Sequence, residues 1–214
     1  MHCAIEIIQK MTVSKTRAKL VDVARQLFAK MGVENTTMND IAIASKKGRR
    51  TLYTYFKSKE EIYVAVVEQE LDMLQQSLQK LAEKDISPDQ KLVEMIYARL
   101  DAIKEAVYRN GTLRANFFRD IWRVEKVRKK FDAKEITLIK SILAEGQEKG
   151  VFHIDDINVT ADIIHYCVKG IEVPYIRGQI GANIPDEKLH IYVQHIVYGA
   201  LGRREPEKDT FNKE

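Results

Sequence analysis

Between Thr36 and Glu60 the chain reads TTMNDIAIASKKGRRTLYTYFKSKE, two short apolar-bearing segments either side of a polar, basic turn. Few folds accept that spacing. Thr37 is placed to cap a helix opening at Met38, because its hydroxyl can accept a hydrogen bond from a free first-turn N–H, and Asp40 then sits at the positive end of the dipole. Met38, Ile41 and Ala42 form the inward side of that segment, which ends at Ser45-Lys46-Lys47-Gly48. Gly48 is expected to let the backbone bend, and Arg49 and Arg50 fall in the first turn of a second segment running to Tyr55. This is the grammar of a helix-turn-helix, whose second helix presents its first residues to base edges. Cations at a helix N-terminus oppose the dipole in water, and an anionic partner removes the conflict.

A longer helix must precede this pair, since two such short helices cannot enclose a core alone. From Ser14, a plausible N-cap, Leu20, Val23, Ala24, Leu27, Phe28 and Met31 recur at the spacing of one helical face, and Gly32 ends it. With this helix in place, Ile41-Ala42, Thr51-Leu52-Tyr53, Tyr55-Phe56 and Lys57-Ser58-Lys59-Glu60-Glu61 resemble the DNA-binding region of TetR-family (tetracycline-repressor-like) transcriptional regulators. The resemblance covers Ser14 to Val67. One departure lies in the turn, where the family usually has a glycine and then an apolar residue and this chain has Lys46 and Lys47.

The resemblance implies that Arg49, Arg50 and Asn39 approach base edges, and that Thr37, Thr51, Tyr53, Tyr55 and Lys59 hold phosphates. Lys46 and Lys47 are expected to add nonspecific affinity, while Leu52 and Phe56 belong to the core of the head. Charge agrees with this division. Residues 1–60 carry 12 Lys or Arg against 5 Asp or Glu, a balance of +7, which leaves −3 for the remainder of a chain whose net charge is +4.

Beyond the head the periodicity is helical throughout, and the fold class expected is all-α with about nine helices. The domains expected are a helix-turn-helix head over 14–60 and a helical regulatory and dimerisation bundle over 61–203, with 1–13 and 204–214 as loose ends. Ser58 caps a long helix with Val67, Leu71, Leu74, Leu78 and Leu81 inward; Ser87-Pro88 opens the next, carrying Leu92, Ile96, Leu100, Ile103 and Val107. A sixth is expected over Thr112–Lys130 and a seventh over Asp132–Lys149. Asp155 and Asp156 suit the start of an eighth, which Pro174 should kink or end. The last carries Leu189, Tyr192, Val193, Ile196, Val197 and Ala200.

The resemblance also implies a homodimer formed through the last two helices, with Ile164, Val168, Ile171, Leu189, Val193, Ile196, Val197 and Ala200 facing the twofold copy. It implies a pocket for an unidentified small-molecule ligand, for which Tyr97, Arg114, Phe117, Phe118, Trp122, His165 and Tyr166 are candidates beside their ordinary reading as core.

Other chemistry finds little support. Cys3 and Cys167 are too few for a disulfide framework, which fits a reducing cytoplasm, and no apolar run approaches a membrane span. Glu187 and His190 form a single Glu-x-x-His pair where a di-iron bundle needs two pairs and two further glutamates. His153, His165 and His195 have no spaced partner, and neither a phosphate loop nor a nucleophile elbow is present. No catalytic residue, metal or cofactor is therefore expected. The reading is a sequence-specific regulator, expected to be a repressor released from a near-palindromic double-stranded operator by a ligand. A helical protein using its basic head on another polyanion, and a helical-bundle enzyme, are the alternatives.

Overall fold

The structure, a computed structural model, describes residues 2–109, 121–180, 191, 193–195, 197–199 and 201; within these, side chains are described over 15–106 and from 125 onward. Seven helices have defined limits: α1 (His2–Met31), α2 (Met38–Ala44), α3 (Arg49–Tyr55), α4 (Lys59–Ala82), α5 (Pro88–Arg109), α6 (Ile121–Glu148) and α7 (Ile157–Ile176). Residues 191, 193–195 and 197–199 are helical as well, and no strand occurs among the described residues. The chain is all-α. It divides into two compact units, Met1–Asp72 with Glu105–Lys129 and Met73–Lys104 with Lys130–Glu214.

In the first unit the core is a continuous cluster. Leu20, Val21, Ala24 and Phe28 of α1 meet Ile41 and Ala42 of α2, Leu52 and Phe56 from α3 and its C-cap, and Ile62, Tyr63, Val66 and Val67 of α4. The Phe28 and Tyr63 rings pack edge to face with centroids 6.3 Å apart. At about 1.5–3 kcal/mol for each large apolar side chain removed from water, this cluster is what makes the two short helices stable. Val21 is buried although its position lies off the expected stripe, while Val23 is only half-buried. The helix is covered on a broader face than its Leu20, Ala24, Leu27 spacing indicates.

The starts of α4 and α7 follow the expected capping chemistry. Ser58 Oγ accepts from Glu61 N at 3.3 Å while Glu61 Oε2 accepts from Lys57 N at 2.6 Å. Asp156 Oδ1 accepts from Asn158 N at 2.7 Å and Val159 N at 3.1 Å. Pro174 lies inside α7, which ends soon after it at Ile176.

Two boundaries differ from expectation. Helix α1 starts at His2, so Ser14 is interior to it and not a cap; His2–Val13 contains neither glycine nor proline to stop a helix from extending. The expected sixth and seventh helices are continuous over Ile121–Glu148. Nothing between Lys130 and Asp132 breaks a helix, since Phe131 is simply a buried helical residue. The expected start at Thr112 lies outside the described residues.

In the second unit, Leu92, Ile96 and Leu100 of α5 are buried with Leu138, Ile139, Ile142 and Leu143 of α6 and Ile164 and Val168 of α7. Gly150 closes α6 at φ +70°, a left-handed position that favours glycine. Val151 N then donates to the Gly146 carbonyl at 2.8 Å and returns the chain over the helix. That return lays Phe152, 1% exposed, against Gly146, where an added Cβ would stand 2.1 Å from the ring. Gly146→Ala is therefore expected to destabilise the protein by about 1–3 kcal/mol through overpacking, despite the better helix propensity of alanine. Chemical denaturation checks this, and an equal or higher midpoint would show that Phe152 repacks freely.

Candidate nucleic-acid interface

The turn between α2 and α3 decides which way the second short helix points. Thr37 caps α2 in a reciprocal box: its Oγ1 accepts from Asp40 N at 3.2 Å, and Asp40 Oδ2 accepts from Thr37 N at 2.8 Å. The Thr37 hydroxyl also donates to Asp40 Oδ2, and these contacts, the hydroxyl first and the N–H second, hold the Asp40 carboxyl below the usual carboxylate range. Ser45 ends α2, fully buried, with Oγ donating to the Ala42 carbonyl at 3.0 Å. Lys46 then takes φ 56°, the left-handed conformation, and Lys47 N donates to the Ala42 carbonyl at 3.0 Å. Gly48, expected to supply the bend, has φ −64° and serves only as the N-cap of α3, without a side-chain hydrogen bond. The left-handed position falls instead at Lys46, where the family usually carries glycine.

Helix α3 is two-sided. Leu52, 0% exposed, and Phe56, 2% exposed, anchor it in the head core, and Arg17 lies over the Phe56 ring at 5.0 Å. Arg49, Arg50, Tyr53 and Thr54 are exposed on the other side at i, i+1, i+4 and i+5. No acidic residue offsets the two arginines within the first turn. Asn39 and Lys46 are exposed as well, while Lys47, Thr51, Tyr55 and Lys59 are half-buried. Lys59 Nζ donates to the Glu34 carbonyl at 3.2 Å, tying the start of α4 to the loop before α2. An ammonium has two further donors for a phosphate. Thr37 is exposed with its hydroxyl already committed to the cap.

Thr54 and Ile43 are further exposed residues on this pair of helices, beyond those the sequence singles out. Thr54 follows Arg50 by one turn, with Oγ1 donating to the Arg50 carbonyl at 2.9 Å, so the i, i+4 spacing was the available signal. Ile43 is 68% exposed on α2, where an apolar residue reads as core unless the face is known.

Of the expected ligand residues, Tyr97, His165 and Tyr166 are described. Tyr97 is buried, and burial first, then the Asp101 charge, pushes its phenol well above the ordinary tyrosine range. Tyr166 is 64% exposed. Arg114, Phe117 and Phe118, and the Trp122 side chain, lie outside the described residues.

His165 is instead part of a buried ionic network inside the second unit. Arg99, 2% exposed, places Nε 2.6 Å from Glu135 Oε1 and Nη2 2.6 Å from Glu172 Oε1. His165 Nδ1 lies 2.7 Å from Glu135 Oε2 and its Nε2 lies 3.8 Å from Asp132 Oδ1. Lys169 pairs with Asp132 from the exposed side. The histidine that lacks a spaced partner in sequence thus has two carboxylates beside it in space. Asp132, Glu135 and His165 bring donor atoms within 4.8 Å of one another, a grouping able to hold a metal ion.

Of the expected dimer residues, Ile164, Val168 and Val197 are buried and Ile171 and Val193 half-buried. Leu189, Ile196 and Ala200 lie outside the described residues, as do Glu187 and His190. The exposed apolar side of α7 is formed by Val159, Ile163 and Tyr166, and Ile191 is exposed as well. Ile164 and Val168 are turned into their own bundle because α7 is apolar on two sides.

Comparison with known proteins places this geometry. Residues 20–66 match the family described as bacterial regulatory proteins, tetR family. The HTH-type transcriptional regulator QacR of Staphylococcus aureus is 26% identical over 156 residues, covering 72% of this chain and 82% of QacR. The probable acrEF/envCD operon repressor of Escherichia coli K12 is 28% identical over 181 residues, covering 79% and 80% of the two chains. Among solved structures, the transcriptional regulator FadR from Bacillus subtilis in complex with stearoyl-CoA superposes with a TM-score of 0.61 at 16% identity, covering 86% of this chain and 98% of that one. That likeness is one of fold.

A lysine in the left-handed region costs about 1–2 kcal/mol, which glycine does not incur. Lys46→Gly is expected to raise the unfolding midpoint by the equivalent of about 0.5–1 kcal/mol. If Lys46 meets a phosphate, the same variant lowers the salt slope of DNA binding by about 0.9. Denaturation and salt-titrated binding separate the two effects, and a lower midpoint would show that Lys46 is not strained in solution.

Proposed function

We propose that this chain, which belongs to the TetR family of bacterial regulatory proteins, is a cytoplasmic homodimeric repressor that leaves its operator when a small molecule binds the second unit. The observation that carries the DNA-binding part is the two-sided α3. Its buried anchors Leu52 and Phe56 fix the rotation of the helix, and that rotation presents Arg49, Arg50, Tyr53 and Thr54 together. Arginine pairs bidentately with guanine O6 and N7 in the major groove, so two adjacent arginines on a first turn suit direct base readout. Thr51, Tyr55, Lys47 and Lys59 border that face and suit phosphates.

Twofold pairing gives two such helices and hence a near-palindromic operator. Exposed Val159, Ile163 and Tyr166 of α7, with Ile191, support a dimer face on that side of the bundle. Such a stripe of large apolar residues is costly to leave in water. Because Ile164 and Val168 are buried within the protomer, a partner meets their neighbours and not them.

Regulation is a population shift: a ligand that favours dimers with wrongly spaced heads by a few kcal/mol lowers operator occupancy. Support for a ligand in the helical unit comes from the FadR fold neighbour, which holds stearoyl-CoA. The relatives are transcriptional regulators, and the reading is of a non-enzyme. No helix among the described residues is long and apolar enough to cross a membrane.

Selection from random duplex DNA is expected to return a near-palindrome. Arg49→Ala and Arg50→Ala are each expected to lower affinity for it by about 10- to 100-fold while relaxing specificity at the base contacted. No enriched sequence would point to a nonspecific polyanion binder.

For the dimer, Ile163→Glu is expected to give a folded monomer in sedimentation, since the side chain is outside the protomer core. Ile164→Glu is expected to lower stability by several kcal/mol through burying a charge. A dimeric Ile163→Glu protein would remove α7 from the interface.

A further inference from the structure

Within the second unit, Asp132 and Glu135 stand one turn apart on α6, facing His165 of α7. Glu135 turns one oxygen to Arg99 and the other to His165 Nδ1. An ionised carboxylate only accepts, so in the contact with Glu135 Oε2 it is Nδ1 that carries the proton. A neutral imidazole so held has a lone pair on Nε2. That nitrogen is buried, makes no hydrogen bond among the described residues, and faces Asp132 Oδ1, which is equally buried and without a hydrogen bond. The two are 3.8 Å apart. Two buried acceptors facing one another are satisfied by a species between them, either a molecule donating to both or a cation. A proton on Nε2 does not close the gap, because an N–H···O bond needs about 2.7–3.2 Å.

We propose that Asp132 and His165 bind a divalent first-row transition-metal ion between Oδ1 and Nε2, with Glu135 as the carboxylate that orients the imidazole. Metal bonds of about 2.1 Å to each donor span 3.8 Å at an angle of about 130°, and a small side-chain movement brings this to a tetrahedral or octahedral angle. A ligating histidine whose other N–H goes to a carboxylate is the usual arrangement around such ions. An imidazole with a carboxylate selects zinc, cobalt, nickel or manganese over calcium and magnesium, which prefer oxygen alone.

Charge is consistent with this ion. Asp132, Glu135 and Glu172 carry three negative charges against Arg99 and Lys169. Lys169 is the replaceable cation, since its side chain is 29% exposed and can turn to water. With Lys169 released and a divalent ion in place, the charges of Asp132, Glu135, Glu172 and Arg99 are balanced. Lys169 competes with the metal, and the two protein donors leave coordination positions for water or for a ligand oxygen.

The test uses full-length, tag-free protein treated with a chelator and titrated separately with Zn²⁺ and Co²⁺ by calorimetry, with metal content measured after gel filtration. One ion per chain is expected, together with a rise in unfolding temperature on metal addition. His165→Gln and Asp132→Asn are each expected to weaken binding by about tenfold or more and to remove the thermal rise. Lys169→Met, a change at a partly exposed side chain, is expected to tighten binding. No saturable binding by wild type would overturn the proposal and leave the cluster as a purely structural ionic network. Undiminished binding in folded Asp132→Asn or His165→Gln protein would overturn it by placing the ion elsewhere. Should both variants fail to fold, weaker or unchanged binding by Lys169→Met would overturn it instead. None of these readouts depends on DNA binding, so the outcome is separate from that of the operator experiment.

Discussion

Seven residues make about two turns of helix, and an isolated helix of that length has no stability in water. Helices α2 and α3 are each this short, so their existence depends on burying Ile41, Ala42, Leu52 and Phe56 against α1 and α4. The same burial sets the direction of the exposed side. Because Leu52 and Phe56 are one turn apart and both inside, Arg49, Arg50, Tyr53 and Thr54 are held outward by the packing of the opposite side. Positioning for recognition is thus a by-product of packing, and a head whose core loosened would lose its binding face before it lost its charge.

The parts of this organisation that sequence makes legible are those carried by local spacing. The Thr37–Asp40 box, the Ser58 cap, the apolar stripe of α5 and the Asp156 cap all lie within a few turns of chain, where residue type and separation determine the contact. The bend was harder to place. A glycine attracts any left-handed conformation in a sequence reading, yet Gly48 has an ordinary backbone and Lys46 takes the strained position. The hydrogen bond from Lys47 N to the Ala42 carbonyl requires the reversal one residue earlier than the permissive residue.

Helix α7 illustrates a different limit. Ile163, Ile164 and Val168 are chemically alike, and periodicity shows a wide apolar arc without saying which edge faces the protein. The discriminating fact is that polar residues are inside: His165 and Glu172 are buried with Ile164 and Val168. Their partners come from Glu135, 30 residues from His165, and from Arg99 on α5. No pattern of spacing within one helix contains that information.

Stability alone does not require this network. Replacing buried ion pairs with apolar residues of the same volume is often neutral or stabilising, whereas removing a single partner costs about 3–5 kcal/mol. That asymmetry gives leverage to any species that changes one member of the set. Arg99 joins α5 to both α6 and α7 through Glu135 and Glu172, so a change in charge at His165 or Asp132 alters the balance holding three helices together. Allosteric coupling needs only about 1–3 kcal/mol. The buried cluster offers charges on which such a difference can act, whereas the apolar contacts around it are nearly indifferent to what a cell can vary. Under the proposed function, a unit with its adjustable interactions inside and its apolar stripe outside would respond to a ligand by shifting helices while keeping the surface through which two copies would meet.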